Sequence, residues 1–380
     1  MIQAAYFHIP FCSQICHYCD FNKVFFKGQP VEEYLRAMEK EMKNTIAEFP
    51  TDNLKTIFVG GGTPTVLEMG QLDYFLNSIH KYFPFDPENV EFTFEANPNE
   101  VTKEKFQLLK EAGVNRISFG VQTFDDALLQ KIGRTHRKND VFQTVELAKE
   151  TGFSNISVDL MYGLPEQTLE QLRYTLNLAF TLNVQHFSAY SLIIEPKTVF
   201  YNLVRKNNLL LPTQEEEAEM YEVIMEQMKI HGYEQYEISN YAKPGFSSLH
   251  NLTYWNNEEY YGIGAGAHSY VGGKRKVNAG PLKKYINLIE ETGFPYKEVH
   301  AVTVEEMMEE EMFLGLRKSE GVCKQSFYKK YNRSVEMVFG EQIGELKERG
   351  LIEEIGGCLR LTHRGKFLGN EVFQAFIGVI

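Results

Sequence analysis

The chain has 380 residues, 43% hydrophobic and 24% charged, and its 39 basic and 51 acidic side chains leave a net charge of −12. This composition suits one large α/β domain plus a smaller one, excludes a disordered or fibrous chain, and argues against a protein that grips nucleic acid through its phosphates. The N-terminus, MIQAAYFHIPFC, has no basic segment ahead of an apolar core, and no apolar run reaches the roughly 18 residues of a membrane span, so a cytoplasmic protein without an integral membrane segment is expected.

Short runs rich in Phe, Ile, Val and Tyr predict strands at residues 4–10, 55–61, 91–97, 116–122, 156–162 and 186–192. Amphipathic stretches lie between them. In VEEYLRAMEKEMKNTIAEF, Tyr34, Leu35, Met38, Met42 and Ile46 recur at helical spacing; in QTLEQLRYTLNLAF, Leu169, Leu172, Leu176 and Phe180 share a face. Six strand-plus-helix units at this spacing predict a parallel sheet with right-handed crossovers. Six are too few for a closed eight-fold barrel, so an open or partial barrel is expected, with ligands at the C-terminal strand ends.

From about residue 240 the chain is rich in Gly, Asn and Tyr and reads as a long irregular but packed segment. From about residue 302 helices return, followed by a hairpin turning at Gly356-Gly357 and a final helix, a pattern similar to a winged helix. Residues 301–380 carry 11 basic and 13 acidic side chains, too neutral for DNA binding, and a lid over the barrel mouth is the expected role.

Three of the five cysteines, Cys12, Cys16 and Cys19, stand in CSQICHYC, directly after the first strand. Iron–sulfur cubanes are held by cysteine thiolates, normally four, so three on one loop leave an iron open for a substrate. A zinc site completed by His8 or His17 is the alternative, although zinc ligands usually come as two separated pairs. Gly60-Gly61-Gly62-Thr63 ends the second strand, where missing Cβ atoms let backbone approach a ligand, or simply make a turn. Glu95, Gln122 and Asp159 are polar residues at the mouth ends of successive apolar strands. Each could be a structural hydrogen-bonding group, but their shared position points to a polar ligand. Arg134, on the next loop, could meet a carboxylate.

The C-x3-C-x2-C spacing after a first strand resembles the radical S-adenosylmethionine (SAM) superfamily. That resemblance implies a partial (β/α)6 barrel and a [4Fe–4S] cluster whose open iron takes the amino and carboxylate groups of SAM. Reduction then cleaves SAM to methionine and a 5′-deoxyadenosyl radical. The ordered set YFHIPFC, GGGTPT, FEANP, GVQTF, GRTH and DLMYGLP is similar to one branch, the oxygen-independent coproporphyrinogen III oxidases and the related heme chaperones of the HemW type. By that resemblance Tyr6, Gly61 and Glu95 fall at positions that bind the cluster-bound SAM. Tyr18, Gly62, Thr63, Gln122, Arg134 and Asp159 fall at positions that bind a second SAM in the oxidase.

Two features favour the chaperones. Phe21 stands where the oxidase pattern has a fourth cysteine, and His250-Asn251-Leu252-Thr253-Tyr254-Trp255 resembles the chaperones' H-N-x-x-Y-W signature. The resemblance therefore implies heme as a ligand, with His250 as its expected axial ligand, Tyr254 and Trp255 stacking on the porphyrin, His268 a second candidate, and recipient hemoproteins such as respiratory cytochromes as partners. Oxidative decarboxylation of coproporphyrinogen III is the other reading, and a zinc-stabilised scaffold a third. The expected organisation is a radical SAM core over residues 1–235, the irregular segment over 236–300 and a winged-helix-like domain over 301–380.

Overall fold

The computed structural model describes residues 2–380. Six parallel strands follow the expected order: β1 (Ala4–Ile9), β2 (Thr56–Gly61), β3 (Glu91–Ala96), β4 (Arg116–Gln122), β5 (Asn155–Tyr162) and β6 (His186–Ser191). Helices α1 (Val31–Glu48), α2 (Met69–Tyr82), α3 (Lys103–Glu111), α4 (Lys138–Glu150), α5 (Leu169–Thr181) and α6 (Gln214–Ile230) cross over between or after them. Their starts are written locally. Thr168 with Gln171, and Thr213 with Glu216, form reciprocal caps that satisfy the first free N–H groups of α5 and α6.

One face of each helix and the outward side chains of the strands build the main core, with Phe7, Phe92, Phe94, Phe106 and Phe119 fully buried. The opposite strand face carries polar groups. Glu95 sits level with Ser118, and Asp159 with Ser188 one same-face step further toward the C-terminal ends. The sheet is thus a partial barrel with an apolar outside and a polar inside.

The segment expected to be irregular is built into this sheet. β7 (Glu234–Glu237) and β8 (Asn240–Ala242) add antiparallel beside β6, a short helix α7 (Leu249–Trp255) follows, and β9 (Tyr261–Ile263) returns to pair in parallel with β1. The main sheet therefore has nine strands, in the order β9-β1-β2-β3-β4-β5-β6-β8-β7. A second sheet, β10 (His268–Val271), β11 (Lys274–Asn278) and β12 (Tyr296–Ala301), carries helix α8 (Leu282–Thr292) between its last two strands.

The C-terminal module has its own core of Met308, Met312, Phe327, Phe339 and Phe376. Helix α9 (Val304–Gly315) leads into β13 (Val322–Cys323), two further helices, and the hairpin β14 (Ile352–Ile355) and β15 (Cys358–Leu361). Gly356 and Gly357 both take positive φ in the hairpin turn, as a two-residue turn of the twisted type requires. Cys323 and Cys358 face each other across β13 and β15 and are joined as a disulfide, which leaves Cys12, Cys16 and Cys19 as the free cysteines. Among the described residues no helix is long and apolar enough to cross a membrane.

Candidate functional site

The triad loop is fixed at several points. Phe11–Cys12 pairs with Val24–Phe25 across its neck. The backbone N–H of His17 donates to the Ile132 carbonyl at 3.0 Å, and its Nδ1 bonds the Lys131 carbonyl at 2.9 Å. The Asn22 amide donates to the carbonyls of Ala265 (2.8 Å) and Gly280 (3.0 Å), while its own carbonyl accepts from His8 Nε2 at 2.8 Å. His8 Nδ1 in turn accepts from the Tyr6 hydroxyl at 2.9 Å, and burial lowers its pKa to about 4.

The donor set fits a multi-iron cluster better than a lone ion. Both ring nitrogens of His8 are engaged, and His17 packs edge-on against Phe200. Among the described residues no group of three or more His, Cys, Asp or Glu closes on a single ion. In a cubane each thiolate meets a different iron, so wider thiol spacing is what a cluster requires. Burial pushes the Cys12 thiol up to about 12 and raises Cys19, with the neighbouring cysteines adding to both shifts. A cationic centre that takes up thiolate charge offsets that cost at Cys12 and Cys19. A Cβ on Gly62 would stand 2.6 Å from the Phe11 carbonyl oxygen and 2.8 Å from Cys12 Sγ, so the glycine is needed for the loop to lie against β2.

Above the strand ends lies one cavity of about 470 Å³. Cys12, Cys16, Cys19, Tyr18, Gly61, Gly62, Thr63, Glu95, Gln122, Arg134 and Asp159 all line it, so the structure brings these expected residues together. Glu95 Oε2 accepts from the Gly61 N–H at 3.1 Å, and Ser118 donates to Asp159 at 3.2 Å. Gln122 sits at a bulge with φ of 68°, a conformation uncommon outside glycine that turns the chain at the cavity wall. Arg134 is half-buried; one guanidinium nitrogen reaches Asn97 Oδ1 at 2.7 Å, while the enclosed Nε has no partner among the described residues. A guanidinium at the cavity wall with donors to spare suits a carboxylate-bearing ligand.

Tyr6 does not line the cavity. Its hydroxyl goes to His8, its ring stacks on Phe58, and it acts on the site only through the latch of the triad loop. Two residues absent from the expected set complete the site. Asn97 donates to Thr63 Oγ1 and Glu100 and accepts from Arg134, tying three loops together. Asn22 joins the triad loop to the segments before β10 and after β11. Asn97 lies inside FEANP, a motif singled out from sequence, and Asn22 just beyond Phe21; only their tertiary partners give them a role.

His250 departs from its expected role. It is 1% exposed, and its Nδ1 bonds Thr56 Oγ1 at 2.9 Å and its Nε2 the Tyr254 hydroxyl at 2.8 Å. Its ring stacks on Phe58 at 5.2 Å, and burial together with Arg116 lowers its pKa to about 3. Glu91 caps the same helix, accepting from the N–H groups of Leu249 and His250 at 3.0 Å. Thr56 and Glu91 are the first residues of β2 and β3, whereas the cavity lies at the far ends, roughly 16 Å along the strand. Trp255 lies under the Arg317 guanidinium, 5.1 Å away, outside the cavity lining. The HNLTYW helix is a plug in the barrel floor, because both imidazole nitrogens are already spent on protein groups. His268 is exposed at the start of β10, outside the cavity lining.

The electrostatics of Glu95 give an expected result. Burial and then Asp159 raise its carboxyl to about 8, against the pull of the Gly61 N–H and Arg116. Above that pH it is a carboxylate that can accept from an amino N–H; below it, it holds its own proton and resembles an amide. Glu95→Gln should bind SAM about tenfold or more weakly than wild type at pH 9, and the gap should narrow at pH 6.5, as read by equilibrium binding to cluster-loaded protein. A gap that does not change with pH would remove the carboxylate from SAM recognition.

Known proteins place this geometry in a family. Residues 6–179 match the model of the Radical SAM superfamily and residues 302–368 that of the HemN C-terminal domain. The chain is 58% identical over 377 residues to "Heme chaperone HemW" of Bacillus subtilis, covering 99% of this chain and 100% of that protein. The protein of the same name from Lactococcus lactis is 45% identical over 98% of this chain and 97% of its own length. Among solved structures, coproporphyrinogen III oxidase from Escherichia coli superposes with a TM-score of 0.88 at 23% identity, covering 100% of this chain and 91% of that one, a likeness of fold. Membership implies a [4Fe–4S] cluster and SAM, and the three free cysteines beneath a polar cavity fit both. This chain belongs to the HemW family of the radical SAM superfamily.

Proposed function

We propose that this chain is a heme chaperone on a radical SAM scaffold, working in the cytoplasm, that takes up heme and hands it to recipient hemoproteins such as respiratory cytochromes. The observation that carries this reading is the 58% identity, over the full length of both chains, to a protein named as a heme chaperone. Phe21 supports it, standing where the oxidase pattern has a fourth cysteine.

In this reading Cys12, Cys16 and Cys19 hold the [4Fe–4S] cluster, which when bound supplies an open iron for SAM and an electron for its cleavage. Glu95, held by the Gly61 N–H, accepts from the amino N–H of SAM. Arg134, oriented by Asn97, meets a carboxylate, and Thr63, Gln122 and Asp159 complete the polar wall. Gly60 and Gly61 keep that wall open, since a Cβ on Gly60 would lie 2.7 Å from Glu95 Oε2 and one on Gly61 2.7 Å from the His8 ring. Residues 1–235 are the radical SAM unit and 236–300 close its two edges and its floor; 301–380 form a module that packs on the floor helix, with Arg317 over Trp255, and contributes no residue to the mouth, contrary to the expected lid.

An anaerobic turnover assay tests the choice between chaperone and oxidase. The reconstituted protein is given SAM, a reductant and coproporphyrinogen III, and both deoxyadenosine and decarboxylated tetrapyrrole are followed. The tetrapyrrole should keep all its carboxylates. Catalytic accumulation of decarboxylated product would overturn the chaperone reading.

A further inference from the structure

Arg116, at the start of β4, is among the largest fully buried side chains, 2% exposed. Ile117, Phe119 and Val121 alternate with it and lie in the main core, so Arg116, like Ser118, points into the polar lumen. It stands one same-face step, roughly 7 Å, below Ser118, which is level with Glu95. The arginines that form ion pairs are Arg275, Arg349 and Arg360, all partly exposed. Arg116 has no such pair among the described residues, and its Nε has no hydrogen-bond partner. Glu91, at the foot of β3, is taken by the N–H groups of α7. The register row of Arg116 carries two more unpaired buried atoms, Thr93 Oγ1 and Asn155 Oδ1. A buried charge without a contact partner destabilises a fold, and an apolar side chain of the same length would fill the space better, so packing alone does not explain a guanidinium here.

We infer that Arg116 is a positioning residue of the SAM site, a fixed cation beneath the cavity that keeps Glu95 and Asp159 available as acceptors for the ligand above them. The inference rests on the reading in which Glu95 receives the amino group of SAM. The charge acts across a gap because the lumen is enclosed and poorly screened. Glu95 faces Asp159 from β5, Arg116 from β4, Arg134 from the cavity wall, Tyr6 from β1 and Tyr254 from α7. Of these, only the two arginines favour its carboxylate by charge, and Arg116 pulls harder than Arg134 on both Glu95 and Asp159. Arg134 lines the cavity and is bonded to Asn97, whereas Arg116 lies below the lining and meets no ligand. The other titratable groups around Arg116 are His186, Tyr236 and His250. Burial, and then Arg116 itself, keeps both imidazoles neutral, so Arg116 is the cation of the lower lumen.

The test is equilibrium SAM binding to full-length, cluster-loaded, unreduced protein under anaerobic conditions, followed from about pH 6.5 to about pH 9.5, with iron content confirming equal loading. Arg116→Met removes the charge and keeps the length of the side chain. Without the cation Glu95 holds its proton to higher pH, so the midpoint of the binding profile should rise by about one unit. SAM should then bind about fivefold to tenfold more weakly than to wild type near pH 7.5, and within about twofold of wild type near pH 9.5. Arg116→Lys keeps the charge and should keep the wild-type midpoint. Arg116→Gln, neutral but polar, should follow Arg116→Met, and it decides the matter where the methionine variant does not fold. In a Glu95→Gln background Arg116→Met should produce no such shift. A wild-type midpoint in the neutral variants, or an equal shift in Arg116→Lys, would overturn the positioning role and leave Glu95 as the acceptor. A Glu95→Gln variant that binds SAM like wild type over the whole range would instead overturn the reading on which the inference rests.

Discussion

Replacing Cys16 by alanine should abolish cluster retention. A [4Fe–4S] cube held by three thiolates loses one of its anchors, and two ligands on a short loop do not keep it. Anaerobically purified Cys16→Ala should carry little iron, lack the broad absorbance of the cluster, and lose SAM binding that depends on the open iron. Cys12→Ala and Cys19→Ala should behave alike. Cys323→Ser and Cys358→Ser should keep wild-type iron, because those two sulfurs are bonded to each other in the C-terminal module. Full iron in Cys16→Ala, or loss of iron in Cys323→Ser, would show that the triad is not the cluster site.

His250→Ala should be among the most destabilising substitutions in the chain without being a heme-binding defect. The imidazole is fully enclosed, stacks on Phe58, and satisfies both Thr56 and Tyr254. Its removal leaves a void at the barrel floor and two buried hydroxyls without their partner, together about 3–5 kcal/mol. Chemical denaturation should show that loss. The heme affinity of the fraction that remains folded should stay within about twofold of wild type. Undiminished stability combined with lost heme binding would restore His250 as a ligand. Glutamine, which can keep one of the two hydrogen bonds, should recover part of the stability.

The parallel strands were legible because each is a run of bulky apolar and β-branched residues, buried in the sheet. The run KTIFVGG at 55–61 became Thr56–Gly61, and EFTFEAN at 91–97 became Glu91–Ala96. The strands Glu234–Glu237, Asn240–Ala242 and Tyr261–Ile263 were hidden. At three or four residues each they carry no period, and their pairing is decided by the edges of a sheet formed earlier in the chain. The triad and the cavity lining were legible because the ends of successive parallel strands necessarily converge on one mouth. The motif around His250 was ambiguous in sequence for a definite reason. An imidazole followed four residues later by a tyrosine describes a ligand beside a stacking aromatic, and equally a helical pair bonded to itself. The second arrangement holds here, at 2.8 Å. The Cys323–Cys358 bond spans 35 residues, and spacing alone does not show that β13 and β15 are neighbours.

Heme uptake and release is the most direct measurement. The cluster-loaded wild-type chain is titrated with heme anaerobically, freed of excess ligand, and mixed with a heme-free recipient hemoprotein whose Soret band reports transfer. Saturable binding at about micromolar affinity or tighter, followed by appearance of the recipient's holo spectrum, is the expected result. Absence of saturable binding, or heme that is bound and never reaches the recipient, would contradict the chaperone function.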